Sequence, residues 1–248
     1  MDMEHFYSHL TETALAAFTR FNQTTEIETE HASFSAGSIA ISVVRGRLLE
    51  KAATARIKLR TKNPETGEDT HFDVLQIKVY PANPTVPILL VNIEHRVAGD
   101  ERFGGFLDLA PVAMNRHDLG SLQKKMKRLT EDYGADYEPL RKRVVAMYKR
   151  DHWKNALNAA IGIRLELLPE QFDLVQEAGN KWLEWYCALI EKAASKPFTR
   201  DEEVLMYHVR SGILEFYMLE DQSFQIIQKL GVPLETMALA HFAPTIHY

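Results

Sequence analysis

The sequence predicts an α+β chain built on an antiparallel β-sheet of about six or seven strands with helices on both faces. Three observations predict it. Two strand-rich blocks, residues 38–109 and 211–219, enclose a stretch with helical periodicity. Within the first block apolar and polar residues alternate, as they do along a strand with two unlike faces. The links between those runs are too short for the helical crossovers that parallel strands need.

Residues 1–25 read as a helix, because His5, Leu10, Ala14, Phe18 and Phe21 recur at roughly helical spacing. Residues 38–44 form a β-branched alternating run, Arg45-Gly46-Arg47 turns the chain, and residues 48–60 supply a second strand. Asn63-Pro64-Glu65-Thr66-Gly67-Glu68 is a turn by composition. Residues 72–80, 87–94 and 103–109 continue as strands. The first two of these are joined by Pro81-Ala82-Asn83-Pro84-Thr85-Val86-Pro87, whose three prolines cannot donate to a ladder and make a stiff connection. Helical periodicity then fills residues 118–131, 137–150 and 169–196. Residues 211–219 (SGILEFYML) read as a returning strand and 234–240 as a closing helix. No repeat, linker or low-complexity tract interrupts this order, so residues 1–248 read as one domain.

Alternation sorts the central side chains by face. Leu75, Ile77 and Val79 share a side with the apolar core, and so do Leu89, Val91 and Ile93. The opposite side gathers Gln76, Lys78, Tyr80, Asn92 and Glu94, with Asp108 in the next strand. Arg56, Lys58 and Arg60 alternate with apolar neighbours, and three cations at period two suit a ligand carrying several carboxylates. These polar groups are expected to converge on one cavity.

Composition narrows the function classes. With 34 acidic and 29 basic residues the net charge is -5, so no basic footprint suggests nucleic acid. The single cysteine, Cys187, leaves no disulfide framework and no cysteine cluster. The ten histidines are scattered, with no pair at helical spacing beside a carboxylate, so no metal is expected. Neither a Gly-x-Gly-x-x-Gly nor a phosphate-loop pattern occurs, and no nucleotide cofactor is indicated. No apolar run approaches the ~20 residues of a membrane span, and the first residues lack a signal-peptide pattern; the expectation is a cytoplasmic protein.

The motifs YPANPTVPILLVN and RFGGFLDLAP resemble the aerobic coproporphyrinogen III oxidases of haem biosynthesis. Those enzymes carry a His-Pro-x-Asn-Pro-x-x-Pro-Thr turn, a strand, and then a Trp-Phe-Gly-Gly-Gly-x-Asp-Leu-Thr-Pro segment. Similarity continues through Tyr133-Gly134-Ala135-Asp136-Tyr137 with Pro139 and Lys142, Asp151-His152, Arg210 with Leu214-Glu215-Phe216, and the stretch from Leu234 to Pro244. It spans roughly residues 33–248. A weaker resemblance is to the ferredoxin-dependent bilin reductases. The resemblance implies a flat sheet sandwiched between helices, a tetrapyrrole cleft on one sheet face, a homodimer, and oxygen-dependent chemistry with neither metal nor organic cofactor. It also implies catalytic roles for Asp108, Asn92 and His152 and a place for Arg210 at the substrate, while the alternation of the strands offers Arg56, Lys58, Arg60, Gln76, Lys78 and Glu94 as substrate-binding candidates.

Departures bear on the substrate. The family's histidine and arginine in Thr-x-His-x-Asn-x-Arg fall on Leu90 and Glu94, leaving Asn92. Its His-Arg-x-Glu-x-Arg motif becomes His152-Trp153-Lys154-Asn155-Ala156-Leu157, which keeps the histidine and loses both arginines. Exchanging an arginine for a glutamate reverses a charge that propionate groups would feel. Three readings follow: an oxidase with an altered tetrapyrrole substrate, a bilin-type reductase fed by ferredoxin, and a non-catalytic tetrapyrrole binder. The candidate residues have plainer readings as well. Asp108 caps a loop, His152 complements a helix end, Arg56, Lys58 and Arg60 form a solvated face, and Gly104-Gly105 is a turn. Trp182, Trp185 and Tyr186 at helical spacing belong to the core.

Overall fold

The structure is a computed structural model, and it describes residues 2–62, 67, 69–149 and 161–246. A flat seven-stranded antiparallel sheet runs in chain order: β1 (Glu28–Phe34), β2 (Gly37–Val44), β3 (Leu49–Lys62), β4 (Asp69–Pro81), β5 (Ile88–Ala98), β6 (Asp100–Ala110) and β7 (Ile163–Leu168). Each strand pairs with its predecessor, as short links dictate.

Helices cover both faces. On the first, α1 (Met3–Asn22), α2 (Arg116–Asp132) and α4 (Phe172–Ala193) bury Phe6, Leu10, Phe18, Met126, Trp182 and Tyr186 against Leu75, Ile77, Val79, Leu89, Val91 and Ile93. Trp182 and Tyr186 are thus core residues, and Trp185 packs partly buried beside them. On the second face, α5 (Arg200–Leu219), α6 (Gln222–Lys229) and α7 (Leu234–His241) bury Ile213, Phe216, Phe224, Ile227 and Met237 against Ile39, Ile41, Ala53, Ala55 and Ile57. Helix α3 (Tyr137–Tyr148) wraps the β7 edge, giving Tyr137 and Leu140 to the first core and Val144 and Tyr148 to the second.

The largest correction concerns residues 211–219, which form the end of α5 rather than a strand. A capping box starts that helix: Thr199 accepts from the Glu202 backbone at 3.2 Å, and Glu202 accepts from the Thr199 backbone at 2.7 Å. From there Met206, Arg210, Ile213 and Tyr217 are buried at helical intervals. Their spacing outweighs the strand-like composition of the last nine residues. The sheet instead gains β1 and β7 at its edges.

Gly104 and Gly105 form no turn; they lie inside β6, where its pairing with β7 slips register between Phe103 and Gly105. Gly105 has φ +123°, and a Cβ there would stand 2.1 Å from the Asn92 carbonyl oxygen, so no other residue fits. The proline-rich connection has a second duty. Asn83 Nδ2 donates to the carbonyls of Ala194 at 3.1 Å and Lys196 at 2.8 Å, capping the end of α4. The turn at 63–68 lies outside the described residues except for Gly67.

Candidate functional site

Cross-strand register builds the site as three parallel rows across the second sheet face. The middle row runs Ala55, Gln76, Asn92, Phe106, Arg164 through five neighbouring strands. On one side of it lies the row Ala53, Lys78, Leu90, Asp108; on the other, Ile57, Val74, Glu94, Gly104. Directly paired residues share a face, so this arrangement follows from alternation plus register.

Hydrogen bonds lock the polar part. Lys78 Nζ lies 3.4 Å from Gln76 Oε1, Gln76 Nε2 donates to Asn92 Oδ1 at 3.0 Å, and Asn92 Nδ2 donates to Glu94 Oε1. Above this floor is a cavity of about 220 Å³ walled by Phe106 of β6, Arg164 of β7, Met147 of α3, and Phe216, Tyr217 and Asp221 around the α5–α6 junction. A second cavity of about 250 Å³ shares Gln76, Asn92 and Glu94 and extends between Phe72, Val74 and the α6 residues Ile226 and Ile227, with Arg60 on its border. Together they make a cleft with an amide-lined floor, a first chamber whose aromatic walls are interrupted by the charged Arg164, Glu220 and Asp221, and a second chamber that is mainly apolar. This arrangement suits a flat ligand with an apolar body and oriented polar groups.

Charge in the cleft is perturbed. Burial raises the Glu94 carboxyl above its usual range, against the opposing pull of Arg164 and the Asn92 hydrogen bond. Burial lowers Lys78 to about 7, helped by Lys51 and resisted by Asp221. His241 of α7, whose Nδ1 contacts Lys78 Nζ, is held well below the imidazole range by burial and by the two lysines. A carboxyl pushed up and an amine pushed down on one cavity are the usual materials of proton transfer.

The structure brings Gln76, Lys78, Asn92 and Glu94 to one cavity; Arg60 only touches the rim of its extension near the end of β3, since it pairs with His71 and shares the parity of Arg56 and Lys58. It does not bring the others there. Arg56 and Lys58 project from the opposite face, because Arg56 pairs with Leu75 whereas Gln76 pairs with Ala55. Arg56 is bound by Asp73, by Glu4 at 2.9 Å and by the Tyr7 ring at 4.3 Å, and Lys58 reaches Glu4 at 3.4 Å. Arg210, on α5, is fully buried away from the cavity. Its guanidinium is held by Glu50, the Pro81 carbonyl at 2.9 Å and the Thr245 carbonyl at 3.3 Å. Asp108 is fully buried and not part of the cavity wall; its Oδ1 accepts from the Gly162 backbone at 2.9 Å, and burial raises its carboxyl to about 7. His152 lies outside the described residues.

Sequence reasoning missed Arg164, Tyr217, Asp221 and His241. Arg164 carried a signal, since Ile163 and Leu165 alternate with Arg164 and Glu166. His241, in a short helix, carried none. Among the described residues, no cluster of three or more His, Cys, Asp or Glu side chains is placed to hold a metal ion. No helix there is long and apolar enough to cross a membrane.

The profile of the family described as Coproporphyrinogen III oxidase matches residues 10–235. The chain belongs to this family. An oxygen-dependent coproporphyrinogen-III oxidase of Coxiella burnetii (strain Dugway 5J108-111) is 24% identical over 228 residues, covering 87% of this chain and 72% of that one. The mitochondrial oxygen-dependent coproporphyrinogen-III oxidase of Homo sapiens is 26% identical over 203 residues, 76% of this chain and 44% of the human protein. Phytochromobilin synthase from tomato, solved in complex with biliverdin, superposes with a TM-score of 0.56 at 12% identity, over 94% of this chain and 80% of that one. That likeness establishes the shared fold. Coproporphyrinogen III oxidase family membership places the chain among tetrapyrrole-related oxidoreductases, as the sequence motifs imply.

Proposed function

We propose that this chain is an oxidoreductase acting on a tetrapyrrole held between the sheet and α5–α6. The observation that carries the reading is the Gln76–Asn92–Glu94 row, a fixed set of polar groups facing the rings of Phe106, Phe216 and Tyr217 across the cavity. Pyrrole N–H groups are donors, and the Glu94 carboxylate accepts them; in its protonated form it gives a proton to the ring. One arginine, Arg164, stands in the wall of the first cavity, and Arg60 touches the rim of the second. An arginine in the wall suits an acidic side chain of the pigment. The altered substrate follows from Glu94 and Leu90 standing where the family motif has arginine and histidine.

In the oxidase reading, oxygen takes electrons from a ring made reactive by deprotonation, and the chain supplies positioning and proton transfer with no resident cofactor. Glu94 with its raised carboxyl favours a second reading, in which ferredoxin supplies electrons and Glu94 protonates the pigment. The homodimer and the cytoplasmic setting implied by the resemblance belong to the same proposal, and sedimentation checks the former. Absorption titrations of the purified protein with coproporphyrinogen III, protoporphyrin and biliverdin test the site. A saturable spectral shift with at least one pigment is expected, and oxygen uptake against ferredoxin dependence then separates the two readings. No binding by any of the three overturns the proposal.

A further inference from the structure

Lys78 is in an uncommon position for a lysine. Only 2% of it is exposed, yet it borders the cavity. Among the described residues no carboxylate forms an ion pair with it. Its amine instead meets His241 Nδ1, Gln76 Oε1 at 3.4 Å, and the face of the Tyr217 ring at 4.1 Å. A buried ammonium without a carboxylate is costly, and an amine in that setting readily gives up its proton.

The groups packed around it come from every neighbouring element. Lys51 of β3 is equally buried and is bound to the carbonyls of Ala238 at 2.8 Å and Phe242 at 2.6 Å. Tyr80 of β4 donates to the His241 carbonyl at 2.5 Å. Glu94 of β5, Arg164 of β7, Tyr217 and Glu220 of α5, and Asp221 before α6 line the same cavity. Burial and Lys51 favour the neutral amine, while Asp221 favours the ammonium. His241 is fixed by ring contacts with Tyr217 at 5.4 Å and Phe224 at 5.6 Å. Its Nδ1 faces the lysine amine, and its Nε2 is buried with no hydrogen-bond partner among the described residues, so the lysine is the polar contact of the ring.

We propose that Lys78 is an acid–base residue of the cleft that exchanges a proton with the pyrrole nitrogens of the bound pigment, and that His241 is the positioning residue that aims its amine. This rests on the tetrapyrrole reading of the site. The neutral amine takes a proton from a ring N–H, leaving the electron pair on the ring nitrogen; the ammonium returns it. The amide row gives the exchange a direction. Each group donates to the next from Lys78 through Gln76 and Asn92 to Glu94, so a nitrogen base and a carboxylic acid flank one floor with fixed polarity.

Two measurements on the full chain test this. The first follows the Cε signals of 13C-labelled lysine against pH, with Lys78→Met assigning the resonance. A signal titrating about two units or more below the ordinary lysine value of about 10.4 is expected. The second follows the absorption of bound protoporphyrin or biliverdin against pH. A transition near neutrality is expected in the native protein, lost in Lys78→Met and in Lys78→Arg, and displaced by about half a unit or more in His241→Gln. A Lys78 that merely clamps α7 predicts a lower Tm in these variants with the optical midpoint unmoved, and that result overturns the proposal. An ordinary lysine titration with pigment bound also overturns it. A neutral-range lysine with no pigment bound sinks the tetrapyrrole reading first, and the substrate half of this proposal with it. If Lys78→Met does not fold, Lys78→Arg decides, since its permanent charge must abolish the transition.

Discussion

Arg210 and Glu50 meet side by side, Nη1 to Oε2 at 3.0 Å and Nη2 to Oε1 at 3.2 Å, tying the centre of α5 to the start of β3. The guanidinium has no exposed surface. A buried charge of this kind is strongly destabilising when its partner is removed, whatever the net value of the pair. Arg210→Met or Glu50→Ala should therefore lower unfolding free energy by roughly 3–5 kcal/mol. Urea titrations measure the loss. Pigment affinity per folded molecule should stay within about twofold, because the pair stands outside the cavity; a selective loss of affinity would return Arg210 to the substrate site.

Asp108 should make stability fall as pH rises through the acid range. Its native carboxyl holds a proton up to about pH 7 because of burial, whereas the unfolded chain releases it near the ordinary value of about 3.9. Between those limits the native state binds more protons, so its stability declines as pH rises from about 4 to 7 and stays reduced above that. Lys78 and Lys51, lowered to about 7, act in the adjoining window. There the unfolded state holds more protons, and stability recovers from about pH 7 toward 10. Asp108→Asn should flatten the acid arm by roughly 2–4 kcal/mol and leave the alkaline arm in place. Chemical denaturation at pH 5, 7 and 9, with native and variant compared, checks both arms. Bound-pigment spectra should not change, since Asp108 does not line the cavity.

Glu94→Gln keeps the hydrogen bond from Asn92 and removes the titrating proton. Turnover should drop about 10²–10⁴-fold, the usual contribution of a general acid, with pigment binding retained. Single-turnover kinetics alongside equilibrium titration separates the two effects. Equal losses in both would mean that Glu94 only binds.

Gly162 and Gly120 should respond to alanine with opposite signs. A Cβ at Gly162 would stand 1.9 Å from the Leu107 carbonyl oxygen and 2.8 Å from Asp108 Cα, so Gly162→Ala must push β7 off β6. A cost of about 1–3 kcal/mol or more is expected. At Gly120, inside α2, a Cβ meets nothing within 4 Å, and alanine there should stabilise by about 0.5–1 kcal/mol. Thermal melts of the two variants suffice.

The central strands were legible because period-two alternation is strong where one face is a dry core. Leu75, Ile77 and Val79 against Gln76 and Lys78 marked both the strand and the wet face. Register was not legible, and it decided which polar residues meet. Arg56 is one residue from sharing Gln76's side, and that step puts it on the far face of the sheet. Residues 211–219 misled because an aromatic and β-branched composition is common to strands and to buried helices, and the deciding signal, the capping box at Thr199, lies twelve residues upstream of Ser211. His241 reaches Lys78 across 163 residues of chain, a meeting that no local pattern encodes.

The strictly sequential order of the strands separates floor from roof in time. Each strand finds its partner in the segment made just before it, so on the ribosome the sheet can assemble hairpin by hairpin through β6 and accept β7 after one helical excursion. The roof of the cleft comes mainly from α5 and α6, and α7 backs it by meeting Lys78, all beyond residue 199. Until those helices emerge, Ile39, Ile41, Ala55 and Ile57 face water as one apolar sheet surface, open to chaperones and to a second nascent chain. The cleft is thus the last part of the molecule to close, and a chain stalled before α7 would display the amide row with no imidazole to meet Lys78.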